Sequence, residues 1–154
     1  MGDLRTRVGD ALKRAMREKD TLRVSTLRLI NAAIKDRDIA LRGDGRDDGV
    51  DDTEILSILG RMTKQRAESA RAYEEGGRLD LADRERAEIT VIEDFLPRQL
   101  DEAEVARAVD AAISDLGAET VRDMGKVMGA LKAKYTGQMD FGAVGSVVKS
   151  RLCG

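Results

Sequence analysis

Three charged residues near the middle of the chain have types and spacing that invite chemistry. Glu85 and Glu88 lie about one helical turn apart, and Arg66 interrupts an apolar helix stripe upstream of them. Two carboxylates can divide acid and base work when their surroundings split their pKa values. A neighbouring arginine acts against this, because it keeps a carboxylate ionised. The E-x-x-E spacing also lacks the histidine that completes a carboxylate-bridged metal bundle. The chain contains no histidine at all, which removes Ser-His-Asp and Cys-His catalysis and every histidine-ligated zinc site. Cys153 is the single cysteine, so neither a Cys-rich metal site nor an internal disulfide can form, and a reducing compartment is expected. There is no GxxxxGK(S/T) loop and no GxGxxG between a strand and a helix. The expectation is a structural ion pair of Arg66 with Glu88, Glu85 nearby, and no catalytic centre, metal or cofactor.

A second group is suited to contact rather than bond-making. In MGKVMGALKAKYTG, residues 124–137, Met124, Val127, Met128, Leu131 and Tyr135 share one side of a helix at about 100° per residue. The other side holds Gly125, Gly129, Ala130 and Ala133 with Lys126 among them, while Lys132 and Lys134 flank the apolar stripe. Glycine inside a helix costs about 1 kcal/mol relative to alanine. A surface without side chains lets another backbone come close, either a neighbouring helix of the same domain or an outside partner such as a sugar-phosphate strand. Arg122 and Lys149 add positive charge before and after this helix.

Helices must position these groups. Leu4, Val8, Leu12, Ala15 and Met16 predict a first helix from about Leu4 to Met16. Asp20 is a good N-cap for a second, carrying Leu22, Leu27, Ile30, Ala33, Ile34 and Leu41. The turn-rich GDGRDDGVDD at 43–52 has almost nothing to bury and is expected to be a mobile loop. Asp51-Asp52-Thr53-Glu54 resembles a capping box and opens a third helix to about Glu75. Gly76-Gly77 breaks it, and a fourth helix runs from about Leu79 to Leu96. Folding back at Gly77 brings Arg66 and Glu88 level, since each is eleven residues from the turn. Pro97 cannot continue a helix and marks the boundary between domains 1–96 and 97–154. Asp101 to Glu104 caps a fifth helix that Gly117 stops, and Thr120-x-x-Asp123 opens the glycine-bearing helix. A last helix from about Asp140 uses Phe141, Val144, Val148 and Leu152. The expected fold is all-α: an N-terminal four-helix domain of two helical hairpins, then a C-terminal three-helix domain.

Composition agrees with a helical protein. Of 154 residues, 42% are hydrophobic and 36% charged, with 3% aromatic, so a core must come from many medium-sized side chains. The net charge of −2 hides a division: residues 1–42 carry +5, 43–120 carry −11 and 121–154 carry +4. Basic ends attract a polyanion that the acidic middle repels. The opening MGDLRTRV has no apolar run of signal length and no stretch approaches a membrane span. A cytoplasmic location without a membrane partner is expected.

DTLRVSTLRLINAAIKDRDIA at 20–40, Lys64-Gln65-Arg66, GGRLDLADRERAEI at 76–89, FLPRQL at 95–100, MGKVMGALKAKYTG at 124–137 and Val148-Lys149 recur in this order along nearly the whole chain. On these pieces the chain resembles the GatB/YqeY family, as a stand-alone YqeY-type member. The resemblance implies a C-terminal three-helix domain similar to the tail of the GatB subunit of tRNA-dependent amidotransferase. The associated label is carbon–nitrogen ligase with glutamine as amide donor, but that chemistry belongs to regions this chain lacks. The implied role is a tRNA- or RNA-binding accessory module. Lys126, Lys132, Lys134, Lys149 and Arg122 would meet phosphates, and the Gly125/Gly129 face would admit the strand; DNA is not expected. The alternative is an adaptor for an amidotransferase or an aminoacyl-tRNA synthetase, with a partner helix on the same face. Two positions depart from the family pattern: Gln138 and Gly129 stand where a basic residue is frequent.

Overall fold

The computed structural model describes residues 3–45 and 49–153. Among them are seven α-helices and no strand. They are α1 (Asp3–Glu18), α2 (Thr21–Gly43), α3 (Asp52–Glu75), α4 (Leu79–Glu93), α5 (Glu102–Leu116), α6 (Met124–Tyr135) and α7 (Phe141–Cys153). Residues 46–48 of the loop expected to be mobile lie outside the described residues. The chain divides into two compact units on either side of the Leu96–Pro97 bond.

In the first unit, α1 packs on α2 and α3 on α4. Val8, Leu27, Ile30, Ile34, Leu41, Ile55, Leu59 and Ile92 are wholly buried and form the centre of its core. Among the described residues Thr26 is the buried polar one, and its hydroxyl donates to the Leu22 carbonyl at 2.9 Å. Asp20 and Asp51 cap α2 and α3 by accepting from the N–H groups of Arg23 and Glu54. The fourth helix stops at Glu93, short of the Leu96 expected from its pattern. Phe95 and Leu96 instead donate to Ile92 and Glu93, three residues back, because the residue before a proline is kept out of the α conformation. The return of the loop to α3 is pinned by one carboxylate. Asp38 accepts from the two terminal guanidinium nitrogens of Arg5, each at 2.9 Å, and from the Val50 N–H at 2.9 Å. Gly49, at φ +78°, makes the turn beside it.

The second unit has a separate core of Ala108, Val109, Val127, Leu131, Met139, Val144, Val148 and Leu152. Its first helix begins with a complete capping box between Asp101 and Glu104 and ends at Gly117 in the left-handed region. A 3-10 turn, Val121–Asp123, leads into α6. Val144, Val148 and Leu152 repeat every four residues and form the buried stripe of α7.

Candidate functional site

Val127 and Leu131 fix the orientation of α6 by sitting fully buried against the core. Met124, Met128 and Tyr135 complete this side at partial exposure. The remaining circumference is open: Gly125, Lys126, Gly129, Ala130, Lys132, Ala133 and Lys134 are all exposed. A Cβ placed on Gly125 or on Gly129 would meet nothing within 4 Å. Among the described residues of this unit, therefore, no helix uses these glycines for close packing. Gly125, Gly129 and Ala133 follow each other at four-residue steps, a bare ridge about 12 Å long at 1.5 Å per residue. Lys126 and Lys132 border it on either side.

The cations here are not used up by the fold. The side chains of Arg122, Lys126, Lys132 and Lys149 form no hydrogen bond or ion pair with a described residue. Lys134 rests 5.5 Å from the centroid of the Tyr135 ring, a cation–π contact that leaves its charge intact. Asp123 is the acid adjoining the ridge. Its carboxylate accepts the N–H groups of Glu119 and Thr120 at 3.0 and 3.3 Å, which hold its pKa below the usual range, with a smaller contribution from Lys126. Charge is segregated along this unit: residues 97–120 carry −4 and 121–153 carry +4. Lys149 belongs to α7, a different helix from the lysines of the ridge.

Exposed helix-interior glycine with empty space around it should be replaceable. Gly129→Ala is expected to raise the stability of the folded chain by about 0.5–1 kcal/mol, through helix propensity and lower unfolded-state entropy. Urea unfolding of the variant checks this; a loss of stability would show that the bare surface serves the fold itself.

The other group singled out by its chemistry lies in the first unit. Arg66 Nε donates to Glu88 Oε2 at 2.9 Å, with the side chains 14% and 12% exposed. Arg66 also donates to the Met62 carbonyl at 3.3 Å, and Arg84 reaches the other Glu88 oxygen at 3.7 Å. Glu85 is half-buried but forms no hydrogen bond or ion pair with a described residue, so the cluster is Arg66–Glu88–Arg84 rather than two acids around one arginine. Among the described residues no three potential ligands gather as a metal site.

Sequence reasoning missed a seam that supports the ridge. Leu100 N–H donates to the Gln138 carbonyl at 2.8 Å. The Gln99 side-chain amide donates to the Gly137 carbonyl, and that of Gln138 to the Arg98 carbonyl at 3.3 Å. Segment 98–100 thus clasps the turn that ends α6. Gln138, noted above as lacking a family-like positive charge, has a structural task here that a lysine amine would meet differently.

This geometry defines the class: an all-α chain with a lysine-edged, uncovered helix face. Residues 5–152 match the family described as Yqey-like protein. The chain belongs to the YqeY-like family. Its relatives include "Altered inheritance of mitochondria protein 41, mitochondrial" of Lachancea thermotolerans, 33% identical over 105 residues, covering 68% of this chain and 53% of that protein. The protein of the same name in Clavispora lusitaniae is 31% identical over 148 residues, covering 92% of this chain and 80% of its own length. The chain thus spans about half the Lachancea relative. No described helix is long and apolar enough to cross a membrane. The names of these relatives place those proteins in mitochondria, not in the cytoplasm that composition suggested for this chain.

Proposed function

We propose that the C-terminal unit binds tRNA or another structured RNA along the Gly125–Gly129–Ala133 ridge, as an accessory module without a catalytic centre of its own. The supporting observation is that this ridge is open while Lys126 and Lys132, which border it, form no hydrogen bond or ion pair with a described residue. Amines on flexible stems meet phosphate oxygens wherever they lie, and a bare helix face lets the backbone of the strand approach within reach of both borders. The resemblance to the GatB tail supports the same reading. It makes the relation to glutamine-dependent tRNA amidotransferase one of RNA handling, with the carbon–nitrogen ligase step left to the larger enzyme. The mitochondrial names of the relatives favour mitochondria over the cytoplasm as the place where this module works.

Titration of the whole chain with bulk tRNA tests the proposal. Phosphate contacts from Arg122, Lys126, Lys132 and Lys149, the four without a ring contact, predict a fall in affinity of about 100-fold between 50 and 200 mM salt. Lys126→Glu should weaken binding about tenfold at low salt and flatten the salt dependence. Binding that is absent, or that ignores salt and Lys126→Glu, would sink the proposal. The face would then be free for a helix of an amidotransferase or synthetase, a contact that Gly129→Leu should abolish.

A further inference from the structure

The outer face of α2, in the other unit, has no cover among the described residues. Arg28, Leu29, Ala32, Lys35, Asp36 and Ile39 are all exposed, Leu29 at 47% and Ile39 at 62%. At 100° per residue they fall within about 60° of Ala32 on either side. The side chains of Arg28, Lys35 and Asp36 form no hydrogen bond or ion pair with a described residue. Asp36 has no cation three or four residues away on its own helix, where such a partner would normally stand.

The order of these residues is self-complementary. Ala32 is small, and the residues four before and four after it, Arg28 and Asp36, have opposite charge. The residues three before and three after are Leu29 and Lys35; seven before and seven after are Ser25 and Ile39. If the helix is laid antiparallel on a copy of itself about Ala32, Arg28 of each copy comes level with Asp36 of the other. Leu29 comes level with the aliphatic stem of Lys35, and Ile39 with Ser25. Two alanines meet at the crossing, where helices approach closely. This relation of i to j and j to i is what a two-fold interface requires. An anionic surface would satisfy Arg28 and Lys35 but would be opposed by Asp36 in the middle of the face. A second copy pairs Arg28 with Asp36 in both directions and lays the stem of Lys35 along Leu29, with the amine left in water.

We infer that α2 is a homodimer interface, two copies pairing antiparallel about Ala32 with reciprocal Arg28–Asp36 contacts. One helix face is a small interface, so association is weak and depends on concentration. Sedimentation equilibrium of the full chain at low salt is expected to show the average mass rising toward twice that of the monomer. Arg28→Asp or Asp36→Arg alone places like charges opposite each other twice and should hold the chain monomeric. The double variant Arg28→Asp/Asp36→Arg restores opposite charges and should restore the dimer. Both positions of this cycle are solvent-exposed in the monomer, and unchanged far-ultraviolet circular dichroism confirms that the variants fold. A wild-type chain that stays monomeric at millimolar concentration overturns the inference. So does a dimer indifferent to either single variant, or one that the double variant does not rescue.

Discussion

Asp38→Ala is expected to destabilise the N-terminal unit by about 2–3 kcal/mol, measured by urea unfolding. The carboxylate joins three elements at once: Arg5 on α1, its own helix α2, and the Val50 backbone just before α3. Its side chain is 13% exposed, so water cannot freely replace these partners. Charged hydrogen bonds contribute about 1.5–3 kcal/mol each, and the removal of one acceptor also strands the Val50 N–H. Arg5 is 39% exposed and can rehydrate, which keeps the figure below the sum. Asp38→Asn retains an acceptor for Val50 and should cost less. The hydrogen bonds from Arg5 hold the Asp38 pKa below the ordinary carboxylate range. Because the folded pKa is the lower one, this stabilisation is complete above the unfolded value of about 3.9 and is lost as pH falls through the folded value. Wild type and Asp38→Ala should therefore converge in stability in strong acid. A difference that persists unchanged there would assign the effect to packing.

Glu88→Ala is the second large effect, about 2–3 kcal/mol by the same measurement, while Arg66→Met/Glu88→Leu should cost less than the single change. The arm of α3 and α4 beyond Met62 buries Ala70 and Ala82 and little else apolar. The Arg66–Glu88 pair, with both side chains nearly enclosed, therefore carries an unusual share of its order. Removal of one partner leaves an enclosed guanidinium with only the Met62 carbonyl, a situation that typically costs 3–5 kcal/mol when burial is complete. Partial exposure reduces it here. Apolar replacement of both partners avoids the stranded charge and can fill the space. If the double variant proves as unstable as the single one, the salt bridge is doing more than satisfying its own members.

The all-helical fold was legible because its punctuation is local. Asp101 followed by Glu104 makes a capping box from four consecutive residues, and Gly117 ends the helix by adopting a conformation that other residues resist. Equal arms on either side of Gly77 put Arg66 level with Glu88, which needs only counting. The Arg5–Asp38–Val50 node was hidden because it joins residues far apart through a loop that carries no periodicity. The same count separates Glu88 from Glu85 on their shared face, but it does not reveal Arg84 as the third member of the cluster, which depends on side-chain reach. On α6 the glycines and lysines were legible, but not whether the bare side faced inward or outward. That depends on where α5 and α7 pack, and they pack on Val127 and Leu131.

The seam between residues 98–100 and the end of α6 has a mechanical consequence. The chain leaving Pro97 is fastened almost at once: Arg98 and Leu100 are already tied to Gln138, and Gln99 to Gly137. The connector is therefore an integral strap of the C-terminal unit rather than slack tether. An excised fragment begun at the first residue of α5 would lose its buckle and leave the carboxyl end of the ridge helix to fray.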